Sequence, residues 1–138
     1  MSDELRDHAV YLDSSAFVKL FLPEADSSAL ARYLAPRPRR VSAMLLRTEA
    51  LRAAIRAVLS PQRMVLVRAL LDGVTLIPAD MTLSDEAGML SPPEMRSLDA
   101  IHLATARSLG ARLGALVTYD QRLAATAAWY GIPVVSPS

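Results

Sequence analysis

The sequence predicts an α/β fold in which helices cover both faces of a parallel β-sheet. Short apolar runs, typical of buried strands, alternate along the chain with longer segments of helical periodicity. Because parallel neighbours need a crossover connection, this alternation favours a parallel sheet of four or five strands, flanked by about seven helices. The length of 138 residues suits a single domain, and the 52% apolar content is enough for one packed core.

The first strand is predicted to end at an acidic residue. The apolar run 10–12 leads into Asp13, and helical spacing follows over 14–22, where a proline stops it because proline cannot continue a helix interior. Asp26 and the two serines after it supply capping oxygens for a second helix that ends at residue 34.

A short strand around Val41 precedes the helix with the clearest apolar face, 44–59. Pro61 suits the first turn of the next helix, since proline lacks only an N–H that would be unpaired there, and Gly73 is a suitable C-terminal stop. The apolar run 74–77 then predicts a buried strand.

The rest of the chain repeats the alternation. A helix over 81–90 is followed by a loop broken by prolines, and Ser97 is placed to cap a helix that runs to about Gly110. The chain then closes with a strand over 115–117, a helix over 121–130 that ends at a glycine, and a strand over 134–135.

Composition narrows the classes of protein. The chain has no cysteine, so a disulfide framework and a thiolate zinc site are excluded and a reducing compartment is suitable. Residues 1–8 form a polar N-terminal tail without a signal-peptide pattern, and no run reaches the ~20 apolar residues of a membrane span, so we expect a cytoplasmic protein without a membrane partner. The net charge of +1 does not by itself indicate a nucleic-acid partner.

Four carboxylates are predicted to converge at one edge of the sheet. Asp13 and Asp120 follow strands, Asp99 lies in the first turn of a helix, and Glu49 lies inside an apolar helix. Ligand sites of open parallel sheets lie at the carboxyl ends of the strands. Clustered carboxylates are costly unless a cation neutralises them, and their oxygens favour hard ions such as Mg²⁺ and Mn²⁺. Such ions can activate a bound water and clamp the oxygens of a phosphodiester, so this pattern is compatible with a metal-dependent nuclease.

Each of the four acids also has an ordinary structural explanation. Asp13 and Asp120 are suitable N-caps, and the helix macrodipole favours an acid at Asp99. Glu49 has the helical spacing for an ion pair with arginines further along its own helix. His102 lies one helical turn from Asp99 and could act as a general base, since histidine titrates near neutral pH, but we interpret it as a structural residue of that helix.

Four segments resemble PIN-domain ribonucleases of the VapC toxin family. They occur in the family's order and spacing along nearly the whole chain: YLDSSAFVKL at 11–20, TEALRA at 48–53, SLDAIHLATA at 97–106 and VTYDQRL at 117–123. The resemblance implies one PIN-like domain over 9–138, with strand order 3-2-1-4-5.

The same resemblance implies an activity, partners and site residues. The implied protein is the toxin of a type II toxin–antitoxin system, an Mg²⁺- or Mn²⁺-dependent endoribonuclease with RNA as its substrate. It would pair with a VapB-like antitoxin and form a homodimer. The implied catalytic and metal-binding residues are Asp13, Glu49, Asp99 and Asp120, and the supporting polar residues are Ser14 and Thr118.

Three other readings stay open at this point. One is a housekeeping PIN-domain nuclease that processes RNA, and another is a catalytically silent module of the same fold that binds RNA or protein, although an intact set of four acids argues against silence. A receiver domain also gathers acids around Mg²⁺, but it would need a lysine after a late strand, and Lys19 is the single lysine of the chain.

Overall fold

Five parallel strands form one sheet in the computed structural model, which describes residues 7–138. They are β1 (Ala9–Leu12), β2 (Arg40–Ala43), β3 (Thr75–Ile77), β4 (Leu113–Val117) and β5 (Val134–Val135). The strand order β3-β2-β1-β4-β5 confirms the predicted order, and Asp13 and Asp120 follow the two adjacent strands at its centre. Residues 1–6 of the predicted tail 1–8 lie outside the described residues.

Seven α-helices connect these strands within residues 7–138, as the alternation predicted. They are α1 (Ser14–Phe17), α2 (Ser27–Leu34), α3 (Leu45–Arg56), α4 (Pro61–Asp72), α5 (Met81–Gly88), α6 (Ser97–Ser108) and α7 (Gln121–Trp129). Single 3₁₀ turns occupy Val18–Leu20 and Gly110–Arg112. In the part of the chain that the structure describes, no helix is long and apolar enough to cross a bilayer.

Two helix starts and one helix end differ from the prediction. The predicted helix 14–22 is α-helical only to Phe17 and continues as a 3₁₀ turn to Leu20. The Lys19 carbonyl would have Pro23 as its helical partner, which has no N–H, and it accepts from the Ser27 hydroxyl instead. Asp26 makes no capping bond and pairs with the Lys19 ammonium, 3.7 Å away. Ser97 is not a cap but the first residue of α6, since the extended residue before it is Arg96, which makes no capping hydrogen bond.

The core consists of two apolar layers, one on each face of the sheet. Successive residues of a strand point to opposite faces, so Leu12 and Val117 pack under α1 to α4, whereas Tyr11 and Leu116 pack under α6 and α7. All four side chains are fully buried. Burial on both faces fixes the register of β1 against β4, and thereby the positions of the residues that follow these strands.

Candidate active site

Asp13 is the most buried carboxylate among the described residues. It follows β1 and caps α1, and only 3% of it is exposed. Its Oδ1 accepts hydrogen bonds from the Ala16 N–H at 3.0 Å and from the Ser15 hydroxyl at 2.7 Å. Its Oδ2 accepts from the Thr118 hydroxyl at 2.5 Å. Burial raises the pKa of the Asp13 carboxyl, and the bonds from Thr118 and Ser15 oppose that rise because they favour the charged form.

Thr118 joins Asp13 to the end of β4. Besides donating to Asp13, its hydroxyl oxygen accepts a hydrogen bond from the Asp120 N–H at 3.1 Å. The Ser15 oxygen in turn accepts from the Tyr119 N–H at 2.9 Å. The predicted polar residue Thr118 therefore touches the acidic site. Among residues 7–138 the second hydroxyl that donates to Asp13 is that of Ser15. Ser14 makes no side-chain hydrogen bond within these residues, so its supporting role stays a prediction.

Asp99 and Asp120 face one guanidinium group. Asp120 caps α7 as predicted, since its Oδ1 accepts from the N–H groups of Arg122 at 2.9 Å and Leu123 at 3.1 Å. Its Oδ2 lies 3.7 Å from Nη2 of Arg96. The Nε of the same arginine donates to Oδ2 of Asp99 at 3.3 Å. One positive charge thus lies against two of the predicted metal ligands.

Glu49 is paired with His102, not with an arginine of its own helix. The Glu49 Oε1 lies 2.6 Å from Nε2 of His102, and Nδ1 of that ring lies 2.7 Å from the Tyr11 hydroxyl. The Glu49 carboxylate can only accept, so we assign a ring proton to Nε2, from which it is donated to Glu49. In the neutral ring Nδ1 is then an acceptor for the Tyr11 hydroxyl, whose oxygen accepts from the Ala43 N–H at 3.1 Å and whose pKa is raised by burial.

His102 belongs to the framework of α6, as expected, and it also orients a predicted ligand. Only 2% of it is exposed, and its ring meets Tyr11 edge-on with centroids 5.7 Å apart. The chain of contacts from the Ala43 backbone through Tyr11 and His102 fixes where the Glu49 carboxylate lies. The role of a histidine here is positional, because it connects the interior of the sheet to the acidic edge.

These contacts connect three of the predicted acids, Asp13, Asp99 and Asp120, whereas Glu49 contacts His102 and none of the three. Thr118 links Asp13 to Asp120, and Arg96 links Asp120 to Asp99. As they lie, no three Asp, Glu or His side chains within residues 7–138 are grouped closely enough to hold an ion.

The chemistry of the donors nevertheless suits a hard divalent cation, because all four predicted ligands offer carboxylate oxygens. A guanidinium already stands in for positive charge at two of them, Asp99 and Asp120. The donor atoms are therefore of the type that Mg²⁺ and Mn²⁺ prefer.

Sequence reasoning missed three contributors to this site. Arg96 stands three residues before Asp99, a spacing that places the two side chains on one helix face and was the available signal. Ser15 follows the capping acid by two residues, where a hydroxyl can turn back to the cap. Tyr11 gave no signal, because a buried tyrosine in a strand is most simply a core residue.

The chain is a PIN domain, because the family model described as "PIN domain" matches residues 10–128 and the strand order of the sheet agrees with that class. Within that class the chain belongs to the VapC family of PIN-domain ribonucleases. It is 47% identical over 130 residues to Ribonuclease VapC46 of Mycobacterium tuberculosis, with 94% of this chain and 98% of that relative covered. Ribonuclease VapC35 of the same species is 42% identical over 132 residues, covering 93% and 96%.

A solved structure agrees on the fold. The crystal structure of Mycobacterium tuberculosis VapC20, described as a toxin that cleaves the sarcin-ricin loop, superposes with a TM-score of 0.72. The match covers 93% of this chain and 99% of that one at 18% sequence identity, so it bears on architecture alone. PIN-domain VapC nucleases generally depend on divalent metal ions.

Proposed function

We propose that this chain is the toxin of a type II toxin–antitoxin pair and that it hydrolyses phosphodiester bonds in RNA as an Mg²⁺- or Mn²⁺-dependent endoribonuclease. The observation that carries the proposal is the Asp13 carboxylate, which three hydrogen bonds fix at the carboxyl end of β1 beside Asp120. A buried acid held in this way is a rigid anchor for a cation. Similarity to Ribonuclease VapC46 along 94% of the chain supports the same reaction.

In this proposal Asp13, Glu49 and Asp99 are the main metal ligands, and Asp120 binds directly or through water. A divalent ion in such a site lowers the pKa of a bound water and stabilises the charge that develops on the phosphate. The protein's own contribution is placement. Thr118 holds one oxygen of Asp13, and His102 holds one oxygen of Glu49, so both carboxylates need little reorganisation to meet a cation.

The proposed partners are RNA, a VapB-like antitoxin and a second copy of this chain, all in the cytoplasm. An inhibitory segment of the antitoxin should carry Arg or Lys, because a positive side chain can replace part of the metal's charge among carboxylates. Exposed apolar side chains on α3 and α4 support an association surface. Ile55 is 57% exposed, Val65 67% and Leu66 39%.

The test is cleavage of total RNA by the purified chain with Mn²⁺ or with EDTA. Asp13→Asn keeps the side-chain shape and an oxygen acceptor but removes the charge, so we expect a loss of about 10²-fold or more in cleavage rate. Asp72→Asn is the matched control, because Asp72 is exposed and precedes β3, at the opposite edge of the sheet. It should cut at the wild-type rate.

Two outcomes would argue against the proposal in different ways. Full cleavage in EDTA, or full cleavage by Asp13→Asn, would remove the metal-nuclease mechanism. RNA binding without cleavage under any divalent ion would favour the catalytically silent module. Mapping the cut sites of the active protein identifies the RNA sequence that it recognises.

A further inference from the structure

Arg96 is placed at odds with the helix that it precedes. It occupies the N-cap position of α6, where it makes no capping hydrogen bond. A cation is disfavoured there by the helix macrodipole, which is positive at this end. The contacts that explain its conformation are instead the two carboxylates that it faces, Asp99 at 3.3 Å and Asp120 at 3.7 Å.

Arg96 faces the carboxylate oxygen of Asp120 that does not cap α7. The other oxygen, Oδ1, is already used by the N–H groups of Arg122 and Leu123. The oxygen facing Arg96 is Oδ2, and on Asp99 it is likewise Oδ2 that accepts from the guanidinium. Within residues 7–138 no other cation is paired with either carboxylate. A divalent ion and the guanidinium would therefore compete for the same atoms.

The exchange of one cation for the other is physically easy. Arg96 is 68% exposed along its side chain, against 22% for Asp99 and 25% for Asp120, so the pair is solvated and weak. A cleft of about 470 Å³ between the start of α6 and α7 lies beside the arginine. The side chain has room to leave the carboxylates without displacing the core.

We propose that Arg96 is a positioning residue, an internal counter-ion for Asp99 and Asp120. Its guanidinium holds the two carboxylates together without metal and is displaced from them when a divalent ion binds. The inference rests on the proposed metal-dependent function. It assigns to Arg96 two opposing effects. The guanidinium relieves the repulsion between the two carboxylates in the free protein, and it weakens the affinity for metal because it must be displaced.

The test is the affinity of the full chain for Mn²⁺, measured by titration calorimetry without RNA. Arg96→Gln removes the charge, so Mn²⁺ should bind about twofold to fivefold more tightly, the range expected for loss of an exposed ion pair. Arg96→Lys keeps the charge and should stay close to the wild-type affinity. Arg112→Gln removes an exposed guanidinium that precedes β4, at the opposite end of that strand from Asp120, and it should also leave the affinity unchanged.

Thermal unfolding provides a second readout on the same variants. Without metal, Arg96→Gln should unfold at a slightly lower temperature than the wild type, and saturating Mn²⁺ should raise its midpoint by more. Unchanged or weaker Mn²⁺ binding by Arg96→Gln, while the wild type binds, would overturn the counter-ion role alone. Failure of the wild type to bind Mn²⁺ at all would overturn the proposed function together with it.

Discussion

Replacing Thr118 by valine should destabilise the protein more than any ordinary loss of a hydroxyl. Thr118 is fully buried, and its hydroxyl donates to Asp13 while accepting from the Asp120 N–H. A hydrogen bond to a charged group is worth about 1.5–3 kcal/mol, and an N–H left without its partner adds to the loss. Since valine has a similar shape and recovers some apolar packing, we expect the free energy of unfolding to fall by about 2–4 kcal/mol at neutral pH.

The pH dependence of this deficit follows from the charge on Asp13. Burial raises the pKa of Asp13, and Thr118 opposes that rise, so the valine variant should hold this pKa higher still. A raised pKa in an acid means that the folded protein binds the proton more tightly than the unfolded chain. The penalty for the buried charge is therefore full above the folded-state pKa, and it is lost as the pH falls through that value. The deficit of the variant should shrink on acidification.

Urea unfolding in EDTA at a series of pH values, from about 8 down to about 4, measures both effects. Thr118→Ser is the matched control, because it keeps the hydroxyl and removes only a methyl group, at a cost of about 1 kcal/mol. If Thr118→Val were as stable as Thr118→Ser, or if its deficit were the same throughout the pH series, the hydroxyl would not be stabilising a charged Asp13.

Two further perturbations test the contacts that position Glu49 and the binding of the metal. Tyr11→Phe removes the hydroxyl between the Ala43 N–H and His102, so the protein should lose about 1–3 kcal/mol of stability by thermal unfolding. RNA cleavage should fall as well, because Glu49 loses its fixed partner geometry, and an unchanged rate would contradict that role. Mn²⁺ at 100 times its dissociation constant should stabilise the wild type by about 2.7 kcal/mol. Asp13→Asn should lose most of this gain, and an equal gain would place the ion elsewhere.

Topology was predictable because local signals agreed with the global pattern. Proline at the start of α4 and the glycine after α7, where φ is +78°, mark helix ends through backbone chemistry that a single residue sets. The acids behind β1 and β4 were predictable for the same reason, since residues that end neighbouring parallel strands share one edge.

The side-chain pairing within the site was not predictable from local spacing. Glu49 had arginines within reach on its own helix, yet its partner is His102, which is 53 positions away and reaches it only after the sheet has formed. The capping prediction at Ser97 was wrong because the helix begins one residue earlier than its serine suggested. Such choices depend on tertiary contacts that decide between several locally acceptable partners.

The Asp13 carboxylate, a proposed metal ligand, also stabilises the contact between the two central strands of the sheet. Its Oδ1 accepts a hydrogen bond from the first turn after β1, and its Oδ2 accepts one from Thr118, the residue after β4. A single carboxylate therefore links the carboxyl ends of two paired central strands. Asparagine at position 13 still offers an oxygen acceptor, whereas alanine would leave the Ala16 N–H and the Thr118 hydroxyl without their acceptor. The more exposed Asp99 pairs with Arg96 and forms no link between strands. If Asp99 is a metal ligand as proposed, Asp99→Asn is therefore the substitution expected to stop cleavage with the least effect on the fold.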